Sequence, residues 1–166
     1  MRRILSLSVL AFLAACAAPT TMPSGEPVSI RKMLSDTSGR PYECVNYDAG
    51  TDTCEGIAKR KVRGDRIFYD VSMLVPGPNF DTVKVKIAAD FKIEGGRYCG
   101  NLARADIRTE GRLTPGQRSL LEEVFLAEMI SIGDVCGLYV RDSSGSYTSV
   151  TTDRAGRVMP VSYTHL

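Results

Sequence analysis

The chain has 166 residues, with 21 Lys and Arg against 19 Asp and Glu, one His, five Cys and no Trp. That length suits one domain, and a composition of 43% hydrophobic and 24% charged residues argues against general disorder, collagen and coiled coil. Its one long apolar run, residues 4–15, is broken by Ser6 and Ser8 and is too short for a normal span, which argues against a multi-pass membrane protein.

Arg2 and Arg3 open the chain, an 11-residue apolar stretch follows over residues 4–14, and small residues follow that. This is the layout of a secretory signal peptide. Leu13-Ala14-Ala15-Cys16 resembles the lipobox of bacterial lipoprotein signal peptides. The resemblance implies cleavage before Cys16, acylation of that cysteine, and membrane lipid as a partner held through it. It also implies a domain in the periplasm, with the outer membrane favoured over the inner because Ala17 follows the cysteine. Several acyl chains hold stably where one does not, at about 0.8 kcal/mol per buried methylene. The competing expectation is ordinary cleavage after Ala17, giving a soluble periplasmic or secreted protein.

Residues 1–15 carry two arginines and no acid, so the remainder holds 19 basic and 19 acidic side chains. That balance gives no general case for nucleic acid as a partner. With Cys16 taking lipid, Cys44, Cys54, Cys99 and Cys136 remain, an even number that suits two disulfides in an oxidising compartment. Three pairings exist, and Cys44–Cys54 with Cys99–Cys136 is favoured. Without Cys-x-x-Cys spacing, neither a zinc site nor a redox cysteine is supported.

Residues 16–27, rich in Pro, Thr and Ser, read as a linker from lipid to a single domain over 28–166. Residues 28–34 are ambiguous between helix and strand. Residues 41–46 are a candidate strand, and 54–63 and 66–74 flank Gly64-Asp65 as a tight hairpin. Residues 82–93 alternate, with Val83, Val85, Ile87, Ala89, Phe91 and Ile93 on one face and Lys84, Lys86 and Lys92 on the other. Residues 97–99 and 105–109 continue the sheet. Thr114, Pro115 and Gln117 offer an N-cap, a first-turn proline and the partner of a capping box. An amphipathic helix follows over about 115–130, with Glu122, Glu123 and Glu128 outward. Residues 135–141, 147–152 and 157–163 read as strands. The expected fold is α+β: a mainly antiparallel sheet with that helix packed on one face. Residues 161–166 resemble a peptide translated from sequencing-adapter DNA, the alternative being a genuine closing strand.

Candidate chemistry is sparse. Asn46, Asp48 and Asp52, with Glu55 nearby, place oxygens at near-alternate positions in the way calcium loops do, and a solvated turn explains the same residues. Lys59, Lys61, Lys84, Lys86 and Lys92 form a candidate basic patch, with a mixed-charge wet sheet face as the plainer reading. Arg63-Gly64-Asp65 reads as hairpin turn rather than adhesion motif. No activated hydroxyl, phosphate cradle or ligand cluster is legible, and no cofactor is expected. The sequence therefore points to an envelope lipoprotein that works as a binding or structural module on an envelope protein or polymer. The alternatives are an inhibitor of a hydrolase and, ranked last, a cell-envelope hydrolase.

Overall fold

The computed structural model describes residues 23–48, 50–78, 81–159 and 162–164. The lipobox with Cys16, most of the linker and His165 lie outside them. Among the described residues there are two α-helices and ten strands, and the strands form a single antiparallel sheet.

The chain enters through β1 (Glu26–Val28), which pairs with the end of β8 (Asp134–Arg141) in the register Glu26↔Arg141 and Val28↔Tyr139. The sheet thus begins inside the segment read as linker, because Glu26 and Pro27 already have partners in the ladder. The ambiguous stretch that follows resolves as α1 (Ile30–Asp36), started by Ser29, whose side chain accepts from the Lys32 amide. Ile30 and Met33, three apart on one helical face, are both 0% exposed. Burial at that level is worth roughly 1.5–3 kcal/mol per side chain, and it seats α1 as a plug in one end of the curled sheet.

β2 (Tyr42–Asp48), β3 (Thr53–Arg63), β4 (Arg66–Pro76) and β5 (Thr82–Glu94) form a meander. Gly64 takes φ 60 in the two-residue turn between β3 and β4, a conformation that costs glycine little. The period of two read in β5 holds: Val83, Val85, Ile87, Phe91 and Ile93 are buried. Its 13 residues serve two partners. Lys92–Glu94 pair with β6 (Arg97–Asn101), and Lys84–Ala88 pair with β7 (Asp106–Glu110) after the 3-10 turn Leu102–Arg104.

The capping box at Thr114 and Gln117 is formed as the sequence predicts, and α2 runs Pro115–Ile132. β8 and β9 (Tyr147–Asp153) follow as a hairpin. The stretch read as one strand over 157–163 is instead an isolated bridge, Thr152↔Val158, and the short β10 (Ser162–Thr164). β10 pairs with both β2 and β9, and β9 pairs with β8. The sheet is therefore a curled half-barrel whose open side β10 spans.

Both favoured disulfides are present. Cys99 and Cys136 are direct register partners on β6 and β8, with Cα atoms 4.1 Å apart. Cys44 and Cys54 join β2 to β3 at 5.4 Å. Asn46, between them, takes a left-handed backbone at φ 48, and the ladder has no pair at that position. Among the described residues no helix is long and apolar enough to cross a membrane.

Candidate functional site

The inward side chains of the curled sheet form three layers along its axis. The lowest is a buried ion pair. Glu43 of β2 is 3% exposed and Arg60 of β3 is 5% exposed, with Arg60 Nη1 donating to Glu43 Oε1 at 2.6 Å. Arg60 also donates to Thr37 Oγ1 and to the Arg40 carbonyl, each at 2.9 Å, and meets Met33 Sδ of α1 at 3.0 Å. Burial opposes the guanidinium's charge, but Glu43 and the neighbouring tyrosines outweigh it and hold its pKa above the ordinary value.

The middle layer is aromatic. Tyr69, Phe91, Tyr98 and Tyr139 come from β4, β5, β6 and β8. Tyr69 meets Phe91 edge to face at 5.8 Å and 75°, and Phe91 meets Tyr98 at 5.4 Å and 77°. Tyr139 donates to Glu43 Oε1 at 2.7 Å, so its own oxygen is the natural acceptor for Tyr69, 2.5 Å away. Tyr98 shares its hydroxyl with Ser149 and Thr151 of β9 at 2.5 and 3.1 Å. Burial first, then the negative charge of Glu43, push the Tyr69 and Tyr139 phenols well above their ordinary value. Burial also raises Tyr98, against its hydroxyl partners. Phenols so held stay neutral and donate hydrogen bonds; they do not serve as bases. Gly137 of β8 makes this layer possible, since a Cβ there would run into the Tyr98 ring.

Above the rings lies a cavity of about 320 Å³. Val45, Val71, Met73, Ile87 and Ala89 line its sheet side, and Leu102, Met129, Ile132 and Met159 line its other end. Asn46 also lines it, with a polar, exposed side chain that donates to Glu55 at 2.8 Å. α2 lies at this end and meets the rest of the molecule along one flank. None of its residues is buried, and Leu120, Val124 and Ile130 are more than half exposed. Its N-terminal half is tied to β7, where Glu122 accepts from the Thr109 amide and hydroxyl at 2.8 and 3.0 Å and Arg118 donates to the Thr109 carbonyl. Glu122, expected to face outward, is instead the helix's anchor on the sheet, because Thr109 offers it two donors.

A groove of about 400 Å³ lies on the outer face of β4, β5 and β7. Its polar lining is that of a wetted surface, and Arg108 and Asp106 within it already pair at 2.7 Å. The inner cavity is the more apolar of the two and reaches the core aromatics, which makes it the stronger site.

The candidates read from the sequence do not converge. Asp48 accepts from the Gly50 amide and from Thr51, Asp52 from the Tyr47 hydroxyl, and Glu55 from Asn46. Those hydrogen bonds hold Asp48 below the usual carboxylate range and make the segment a closed turn. Among the described residues no group of three or more His, Cys, Asp and Glu side chains could hold a metal ion. Lys59 and Lys61 are separated from the β5 lysines by β4, where Asp70 lies between Lys59 and Ala88 in the register. Lys86 pairs with Glu110 at 2.5 Å and Lys92 with Glu94 at 3.2 Å, while Lys59 sits 5.6 Å from the Tyr42 ring centre. The patch is a mixed-charge face. Sequence reasoning missed Glu43 and Arg60. Arg60 stands between Lys59 and Lys61 of the candidate basic patch, yet it lies in phase with Gly56 and Ala58, the inward positions of β3, and that phase is the available signal.

Comparison with protein-family models, with curated proteins and with solved structures gave no match.

Proposed function

We propose that this chain is an exported bacterial lipoprotein, held to a membrane through acylated Cys16, whose domain acts by taking a ligand into the cavity between the aromatic layer and α2. The observation that carries the binding half is that cavity. Its size falls at the low end of the range for ligand sites, and the polar groups on its floor are already bonded to one another. Glu43, the acid nearest it, is committed to Arg60 and Tyr139, which favours binding over acid–base work. The lipobox pattern supports the anchor, and two disulfides are compatible with a domain outside the cytoplasm.

Two measurements test the halves separately. Cells fed a tagged palmitate analogue should label the wild-type chain and leave the Cys16→Ser chain unlabelled and released from the membrane fraction. Equal labelling of both chains would refute the anchor. The full-length Cys16→Ser chain should bind an environment-sensitive apolar dye saturably. A signal that only rises linearly with dye would refute the site.

A further inference from the structure

We infer that the cavity takes one unbranched alkyl chain, the tail of a fatty acid or of an acylated lipid; this rests on the binding reading above and names its ligand class. Three observations point that way. The first is the floor. The hydroxyls of Tyr69 and Tyr98 are held by Tyr139, Ser149 and Thr151. A sugar, peptide or nucleotide pushed onto that floor would give up hydrogen bonds to water without replacement. Each one lost weakens binding roughly tenfold to a hundredfold. A hydrocarbon has none to give up.

The second is shape. Tyr69, Phe91 and Tyr98 meet one another edge to face at 75° and 77°. They make a corrugated floor, not the flat slot that a planar ring system needs. Met73 from β4, Met129 from α2 and Met159 from the segment after β9 complete the walls. Unbranched thioether side chains adjust to a flexible chain at little cost. The third is size. With about 30 Å³ for a group as small as a water or a methylene, about 320 Å³ has room for on the order of ten. That is the size of a medium-length tail.

The test is a ladder of saturated fatty acids, short to long, titrated into the full-length Cys16→Ser chain, so that its own acyl groups are absent. Affinity should rise about fourfold per methylene and level off near about ten carbons. Ala89→Phe, which adds a ring to the wall, should abolish binding while the far-ultraviolet spectrum is kept. The ladder needs no substitution in the cavity, so it stands if that variant misfolds. Phospholipid vesicles carrying a labelled acyl lipid form the second arm. Uptake from vesicles supports a lipid source, and binding of the free acid alone supports a fatty acid source. Affinity indifferent to chain length, or unchanged binding by folded Ala89→Phe, overturns the inference. If the apolar dye binds and no fatty acid displaces it, the alkyl class fails and the binding reading stands. If neither binds, both fail.

Discussion

Glu43→Ala should strip the buried guanidinium of its only carboxylate partner in the network described. Arg60 is 5% exposed, and its remaining contacts are a threonine hydroxyl, a carbonyl and a thioether, all uncharged. Removing one partner of such a pair costs about 3–5 kcal/mol. The Tyr139 hydroxyl, on a residue 0% exposed, loses its acceptor as well, which is worth about 1–3 kcal/mol alone. The two losses share one network and do not simply add, so about 5 kcal/mol is expected. That is comparable to the whole stability of a weak domain, about 5–15 kcal/mol. The double variant Glu43→Leu with Arg60→Met removes both charges together. It should recover the part of the loss owed to the stranded charge, but not the part owed to Tyr139, whose hydroxyl still lacks its acceptor. Urea unfolding with the disulfides intact reads both. If Glu43→Ala loses less than about 1 kcal/mol, or the double variant is as unstable as the single one, the pair is not the buried charge network inferred here.

Alkaline pH should unfold the domain through its tyrosines. Tyr69, Tyr98 and Tyr139 are held protonated above the ordinary value of 10.0, whereas the unfolded chain ionises near it. Stability is then level below about pH 10 and falls above it, by about 1.4 kcal/mol per pH unit for each phenol; tyrosinate absorbance should rise together with loss of structure, and ionisation of these phenols near pH 10 in the intact fold would contradict it. Replacing Cys99 and Cys136 by Ala should cost more than replacing Cys44 and Cys54. The loops closed are 37 and 10 residues, giving about 3.8 against about 2.7 kcal/mol in a chain-entropy account, and a reversed order of urea midpoints would oppose it. Gly137→Ala should destabilise by about 1–3 kcal/mol by driving the Tyr98 ring off Ser149, whereas Gly116→Ala, with open space around it, should be neutral or gain up to about 1 kcal/mol; thermal melts compare the two.

Local chemistry was legible and long-range placement was not. Gly64-Asp65 announced the hairpin, Thr114 and Gln117 announced α2, and β5 declared both of its faces by alternation. Each is a rule over a few adjacent residues. The partner of a strand is not written in the strand. β5 divides itself between β6 and β7, and β10 closes the ring between β2 and β9. Those choices depend on how the sheet curls. The site suffered most. Glu43 and Arg60 are 17 positions apart, and Glu43 and Tyr139 are 96 apart. An isolated charge inside a basic run looks solvated until the strand's phase turns it inward.

The two ends of the half-barrel are not equivalent. The chain enters beside Arg141, at the end stoppered by α1, whereas α2 hands over to β8 seven residues away at Asp134, about 23 Å along the strand. The first described residues thus sit at the base of the half-barrel, opposite the pocket wall that α2 supplies. Under the proposed binding role, a ligand passing on the α2 side would leave undisturbed the seam that β1 makes with β8 at the other end.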